Sequence, residues 1–586
     1  MPLSPLTFGN EDALPRVPLP SLEVTGRRFL EWCAPLLTDD ERARTEKALD
    51  EFLTGEGPEL DAALRAYDAA PGVHSWLDAF WRSRYLGRRD RIALNANFFF
   101  LFQDAPGLGR VERAAGLTAA TVAYKLAIDA QAVPPATRRG EPLSMEQFKY
   151  LFSACRIPGR EIDTSRTPYT DAWPGPSTER HVVVFHHGHA VRLDVIAPDG
   201  TPHSAAEIAD GLRAVVAATA GRGDAVGHLT TMARAAWAES REALREHNAA
   251  ALETIETALF CVALEDTVPK EPREACDVLL HGDSGNRWFD KSLTLVVLGD
   301  GTAGLNGEHC ELDGTTVIGY VDAVLGAPTP DLPGAGPAAV TPLRWHLDDA
   351  LHADIARAGS EFADHAAACA TATLSITSVT SARAKQLRCS PDAFAQLAFQ
   401  LAHRRAKGIT GATYESIATR HFRHGRTEAM RVVTPEIVVF VDAMTDPAVG
   451  DDERRAAFRA AADAHVRRAT QCRAGDAPEQ HLWELQWIQR RRGGPDLPFF
   501  DCPGWTILRD DHLSTSAVPS PRIQYFGFGS TSPNCIGVGY GLQHDRLDVY
   551  LTTPRPVADR MHLFAARLRE ALAELDDLLA TEQPPG

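Results

Sequence analysis

The chain has 586 residues, 44% of them apolar and 24% charged, and a formal net charge of −18 from 60 Lys and Arg against 78 Asp and Glu. That length exceeds what one hydrophobic core holds, so two or more domains are expected. The composition excludes a disordered or fibrous chain, and the acidic balance excludes general nucleic-acid binding, which needs a basic face to displace counterions.

The first residues, MPLSPLTFGNEDALPRVPLPSLE, lack a basic start followed by an apolar stretch, so no secretory leader is expected. No apolar run reaches eighteen residues, so no membrane span is expected. Helical periodicity runs through 27–37, 39–53 and 60–67. A β-rich run at 181–185 and a partner at 190–195 flank the tetrapeptide HHGH. Two helices are expected at 204–220, with Ser204 as N-cap, and at 229–264. Alternation marks a strand at 293–298, and Gly299-Asp300-Gly301 is a turn. A second strand then runs through Leu305 towards His309. The stretch 328–342, rich in Pro, Gly and Ala, reads as a surface loop near a domain boundary.

Further on, Ser390-Pro391-Asp392 opens a helix, with Ser as cap, Pro in the first turn and Asp at the positive end of the dipole. Gly408 stops it. Short strands at 523–528, 536–540 and 546–552 precede an amphipathic helix at 557–579. The mixture gives an α/β fold of layered sheets with covering helices. The ten cysteines stand singly without a CxxC pair, which reads as free thiols in a reducing, cytoplasmic compartment. Heavy use of Ala, Arg and Gly has a bacterial look.

The strongest local signal is GLNGEHCELDG at 304–314, which puts His309 at a strand end with Asp313 four residues on. If the chain turns helical there, the spacing stacks both side chains on one face. A carboxylate beside imidazole orients the ring or favours its protonated form. A general base that takes a proton from a hydroxyl or thiol needs that support. Upstream lies HGDSGNRWFDKSL at 281–293, whose polar, aromatic and charged density fits neither core nor loop.

Together these segments resemble the carnitine/choline O-acyltransferase family, with its SGNRWFDK stretch (here 284–291) followed by a hairpin and an EHxxxE or EHxxxD motif, here Glu308, His309 and Asp313. LPRVPLPSLE at 14–23, PLSMEQFKYLFSACRIPG at 142–159, SPDAFAQLAFQLA at 390–402, ATYESIATRHFRHGRT at 412–427 and LSTSAVP at 513–519 extend the resemblance along most of the chain. It implies two similar α/β domains of the CoA-dependent acyltransferase type, with mixed sheets covered by helices and an active-site tunnel at their interface. The expected division is a catalytic-histidine domain at 69–349 and a CoA- and acceptor-binding domain formed by 1–68 and 350–586. It implies acyl-CoA as substrate with no tightly bound cofactor, a small hydroxylated acceptor, no nucleic acid and a monomer. His309 would deprotonate the acceptor hydroxyl, which attacks the thioester directly, without an acyl-enzyme. Ser516, the last residue of Ser514-Thr515-Ser516, matches the position that stabilises the oxyanion. Lys385 matches one of two CoA lysines, and Ser381 stands where the other would be, so Arg383 is the substitute cation. Asp392 matches an aspartate near the CoA path.

For the acceptor, Phe526 matches an aromatic that faces a trimethylammonium group, and Tyr414 and Thr427 match positions that bind the carnitine carboxylate. Ser514 belongs to the same group. The arginine of carnitine enzymes is Gln480 here, and an amide supplies neither its charge nor its bidentate fork. The acceptor expected is therefore free of a carboxylate: choline, another amino alcohol or a bacterial metabolite hydroxyl, with weakly bound carnitine as the alternative. Gln524, on the strand before Phe526, stands where long-chain members carry glycine, which implies short acyl groups. Two readings from other classes compete. A non-catalytic CoA-binding protein would not need His309, Asp313 and Ser516. A zinc site at His186, His187 and His189 lacks a Cys or carboxylate at fitting spacing, so a polar turn is preferred and no metal is expected.

Overall fold

The computed structural model describes residues 4–581. In chain order, the strands of its two main sheets are β1 (Phe98–Phe102), β2 (His181–His186), β3 (His189–Asp194), β4 (Cys261–Leu264), β5 (Leu293–Val297), β6 (Ala303–Gly307), β7 (Val340–Pro342), β8 (Cys369–Ile376), β9 (Thr413–Ala418), β10 (Thr427–Arg431), β11 (Leu513–Ala517), β12 (Ile523–Phe528), β13 (Ile536–Leu542) and β14 (Leu547–Pro554). The fold is α/β, as expected.

The chain divides into two compact units. The first comprises Met1–Leu14, Trp81–Cys369 and Ser520–Gly529, and the second Pro15–Phe80, Ala370–Pro519 and Ser530–Gly586. The boundaries fall at 81 and 369 rather than at 69 and 349, and a short C-terminal segment joins the first unit. That segment carries β12, the edge strand of an eight-stranded sheet in the order β7-β3-β2-β4-β5-β6-β1-β12. The β2–β4 and β4–β5 pairs are parallel, and the other five pairs of this sheet are antiparallel. The second unit holds a six-stranded sheet in the order β8-β14-β13-β11-β9-β10, with β11 parallel to both of its neighbours.

Local chemistry explains most elements. The helix Asp39–Thr54 opens on a capping box between Thr38 and Glu41, and Ala205–Ala218 on one between Ser204 and Glu207. Pro391–Lys407 is capped by Ser390 and ends at Gly408, whose φ of 75° suits glycine. Its residues from Ala393 to His403 are all buried, and it fills the core of the second unit.

Two expectations fail. The helix expected at 229–264 is Arg234–Thr257, and the apolar Cys261–Leu264 is β4. Four buried apolar residues serve a central parallel strand as well as a helix, so periodicity cannot separate them. The end of the expected loop at 328–342 is β7, hydrogen-bonded to β3.

Candidate active site

His309 lies two residues beyond β6, in a non-helical bend that leads to the helix Gly314–Gly326. Both flanks of the bend are pinned by buried polar contacts. Glu308 accepts from Nη1 of Arg156 at 3.2 Å and from the Cys310 amide at 2.9 Å. Asp313 accepts from Nε2 of Gln147 at 2.7 Å, and its own amide donates to Oε1 of Gln147 at 2.7 Å. Thr316 donates to the same oxygen at 2.9 Å. Gln147 thus fixes Asp313 through one oxygen and leaves Oδ1 facing Nδ1 of His309 at 3.6 Å. The pair meets through a bend rather than a helical turn, because Asp313 precedes the helix as its N-cap.

Aromatic rings fix the imidazole plane. Tyr85 stacks on it with centroids 4.8 Å apart and planes 21° apart, and Phe98 of β1 meets its edge at 5.5 Å. Gly307 permits this approach, since a Cβ there would stand 2.8 Å from the Phe98 ring. The side chain of His309 is 27% exposed, whereas that of Asp313 is 1% exposed. A carboxylate facing Nδ1 favours a proton on that nitrogen and leaves Nε2 as the basic atom. From Phe98 the aromatic surface continues along β1 to Phe100, which meets Phe526 of β12 at 5.4 Å. Phe100 and Phe526 are register partners. Gln524 falls at the irregularity where the β1–β12 register shifts between Leu101 and Phe102, and it is partly exposed.

The SGNRWFDK stretch is core, contrary to expectation. Asn286 donates to the Leu264 carbonyl at 3.0 Å, Arg287 pairs with Glu265 at 3.1 Å, and Trp288 packs edge-on against Trp237. Lys291 donates to the Glu256 carbonyl at 2.8 Å. Asp290 accepts from Trp237 at 2.7 Å and pairs with Arg234 at 2.8 Å. Burial raises its pKa to about 6, against the pull of Arg234. Arg234 in turn meets Asp163 at 2.6 Å, and Asp163 meets Arg156 at 2.6 Å. Burial would raise the Asp163 pKa, but Arg234 and Arg156 together hold it below the usual carboxylate range. The charged residues therefore pair with one another inside the fold, and the chain of ion pairs ends at Glu308, beside His309. Buried charges persist only in such paired networks.

The second unit gathers most of the other candidates. Tyr414 on β9 is the register partner of Ser514 on β11, and Thr427 on β10 is that of Ala418. Alternation puts Tyr414, Ser416, Thr427, Ser514 and Ser516 on one face. The Ser416 and Ser516 hydroxyls are 3.2 Å apart. Gln480 is buried, and its Nε2 donates to the Thr427 carbonyl at 2.8 Å, while its Oε1 has no hydrogen-bond partner among the described residues. The Arg431 guanidinium lies 5.6 Å over the Tyr414 ring and pairs with Glu479 and Asp511.

Among the expected CoA contacts, Lys385 is exposed and forms no ion pair among the described residues. Arg383 is already engaged, pairing bidentately with Asp576 at 2.6 and 3.1 Å, so a phosphate would have to displace that carboxylate. Asp392 accepts from the Tyr540 hydroxyl at 2.6 Å. Tyr85, Phe98, Gln147 and Arg156 were not singled out in the sequence. The run FFFLF and the segment PLSMEQFKYLFSACRIPG were the signals that held three of them.

A profile of the choline/carnitine O-acyltransferase family matches residues 17–570. Carnitine O-palmitoyltransferase 2, mitochondrial, of Rattus norvegicus is 31% identical over 92% of this chain and 88% of its own length. Carnitine O-acetyltransferase of Homo sapiens is 30% identical over 97% of this chain and 94% of its own. Among solved structures, a wax ester synthase/diacylglycerol acyltransferase from Marinobacter aquaeolei VT8 overlaps at 9% identity with a TM-score of 0.35, covering 84% of this chain and 97% of that one. The chain belongs to the choline/carnitine O-acyltransferase family and is an acyl-CoA-dependent acyltransferase.

Proposed function

We propose that the protein transfers a short acyl group reversibly between acyl-CoA and the hydroxyl of a small acceptor that lacks a carboxylate, with His309 as general base. The observation that carries this reading is the pinned pair of His309 and Asp313, with Nδ1 turned to the carboxylate and the ring clamped by Tyr85 and Phe98. Nε2 takes the acceptor proton as the oxygen attacks the thioester carbonyl. The tetrahedral oxyanion collapses by expelling CoA thiolate, and the imidazolium returns the proton to sulfur. Ser516 donates to the oxyanion, a contact typically worth ~3 kcal/mol. Ser514, Tyr414, Thr427 and Gln480 form the acceptor face, and Phe526 offers its ring to a quaternary ammonium. Lys385 and Asp392 serve CoA, and Gln524 shortens the acyl path.

Gln480 supports the carboxylate-free acceptor. Its amide donates one N–H to the Thr427 carbonyl, and what remains, a second N–H and an oxygen, is a neutral group that supplies neither the charge nor the bidentate fork a carboxylate would meet. The second reading, a carnitine O-acyltransferase with a weakened carboxylate site, is favoured by the similarity to carnitine O-palmitoyltransferase 2 and carnitine O-acetyltransferase. The described residues contain no helix long and apolar enough to cross a membrane. The compartment we infer is a reducing one, supported by ten free cysteines.

The test is steady-state thiol release from acetyl-CoA with choline, related amino alcohols and L-carnitine as acceptors, repeated with palmitoyl-CoA. A higher kcat/KM for a carboxylate-free acceptor and for acetyl-CoA is expected. Strong preference for carnitine sinks the acceptor assignment, and efficient palmitoyl transfer sinks the role given to Gln524. Full activity in His309→Ala sinks the mechanism.

A further inference from the structure

The HHGH turn takes no part in acyl transfer as described above, yet its side chains are not arranged like an ordinary polar hairpin tip. The turn joins β2 and β3, with His187 and Gly188 in the left-handed region and His186 opposite His189. His186 is buried, and its Nδ1 lies 2.7 Å from the Thr219 hydroxyl. That hydroxyl donates its only proton to the Val215 carbonyl at 2.7 Å, so towards His186 it accepts. The ring proton therefore sits on Nδ1, and Nε2 is a buried lone pair without a hydrogen-bond partner. In His187, Nδ1 lies 3.0 Å from the Thr219 carbonyl and Nε2 2.5 Å from Asp266 Oδ2, and both partners only accept, so without an ion Nε2 carries a proton that a metal would displace. The two rings stack with centroids 3.9 Å apart. Both Nε2 atoms face Asp266, two residues beyond β4, at 2.5 Å from His187 to Oδ2 and 3.8 Å from His186 to Oδ1. The carboxylate that sequence spacing did not offer comes from a separate strand end.

We propose that His186, His187 and Asp266 form a binding site for a divalent transition-metal ion of the zinc type, with water completing its coordination. Zinc–nitrogen bonds of about 2.0–2.1 Å put tetrahedral ligand atoms ~3.3 Å apart, and the two separations here bracket that value. Imidazole with carboxylate is the donor set such ions prefer. Both imidazoles also have the outer support typical of ligands: Thr219 holds each Nδ1–H through its hydroxyl or its carbonyl. His189 stands apart, with its Nε2 on the Gly221 carbonyl. Two things oppose the ion: the proton that His187 Nε2 donates to Asp266, and the Arg110 guanidinium, which contacts Asp266 Oδ1. A bound ion would tie the hairpin tip to the loop after β4 and, through Thr219, to the end of the helix Ala205–Ala218.

Zinc sulfate titrated into the full-length, chelator-stripped protein tests this, read by calorimetry and by thermal melting. One equivalent of zinc and a raised melting temperature are expected. Asp266→Asn and His186→Ala should each weaken binding at least ~tenfold, and Thr219→Val roughly ten- to a hundredfold. Arg110→Gln should tighten it, and this gain of binding cannot arise from misfolding. Acyl transfer should be unchanged in Arg110→Gln. Absence of stoichiometric zinc in both the wild type and Arg110→Gln overturns the proposal, as does undiminished binding in a His186→Ala/His187→Ala double variant.

Discussion

Gln480 donates one amide N–H to the carbonyl of Thr427, on the strand paired with the one that carries Tyr414, and is neutral there. A guanidinium at the same position would add a positive charge and offer a fork. Charge-assisted hydrogen bonds contribute about 1.5–3 kcal/mol, equivalent to roughly 10- to 150-fold in rate. Gln480→Arg is therefore expected to raise kcat/KM for L-carnitine by about that factor and to lower it for choline. Steady-state kinetics with both acceptors checks this, and unchanged selectivity would show that residue 480 does not contact the acceptor. A second single-atom argument concerns Asp313. Gln147 holds it by two contacts of 2.7 Å, so an amide in its place keeps the shape and loses the charge facing Nδ1. Asp313→Asn should lower kcat by about 10²-fold, the scale of general-base assistance, while KM for acetyl-CoA stays within about twofold if ground-state binding is untouched. A rise in KM with kcat intact would assign Asp313 to substrate binding instead.

At the scale of elements, β10 carries a buried carboxyl with little to support its charge. Glu428 is 4% exposed and accepts from the Ala429 amide at 2.9 Å. Burial raises its pKa to about 8, and the nearby Glu479 adds to the shift. The folded chain thus holds a proton that the unfolded chain releases near pH 4.5. Between those values the native state binds more protons, so stability falls as pH rises, by up to about 1.4 kcal/mol per unit. The stabilisation is complete below pH 4.5 and is lost on passing pH 8. Glu428→Gln removes this titration, so the melting-temperature difference, variant minus wild type, should grow from pH 5 to pH 8. A constant difference would mean that Glu428 is already ionised in the folded protein. Nothing in the sequence announced this residue, because burial of a charge is a tertiary fact. Elements set by short-range chemistry were legible: the Ser204 and Ser390 caps, the Gly408 stop, and the β5–β6 hairpin with its turn at 299–301. Elements set by distant partners were not. Cys261–Leu264 is a strand because β2 and β5 flank it, and β12 joins the first sheet because β1 offers it an edge far along the chain. His309 and Asp313 were legible as a pair, but the bend that joins them and the Gln147 clamp behind it depend on folding.

For the molecule as a whole, thiol reactivity brings burial, acidity and function together. All ten cysteines are free, and all but Cys369 are buried. Burial is the first cause raising the thiols of Cys33, Cys261 and Cys535 to about 12 and that of Cys389 to about 11. Thiolate is the nucleophile, so these groups are doubly protected at neutral pH, by lack of access and by lack of ionisation. The native protein should therefore release no more than one equivalent of chromophore from an aromatic disulfide reagent, through Cys369, whereas the chain in denaturant should release ten. The same contrast makes free CoA the dominant thiol in the acyl-transfer assay, so its signal reports turnover rather than the enzyme's own cysteines. Acyl-CoA added to the reagent assay gives the matching readout for binding: if the substrate stabilises the native state, slow labelling of the buried thiols should become slower still, since each requires opening of its surroundings. Rapid modification of several thiols in the native protein would refute the burial on which this rests.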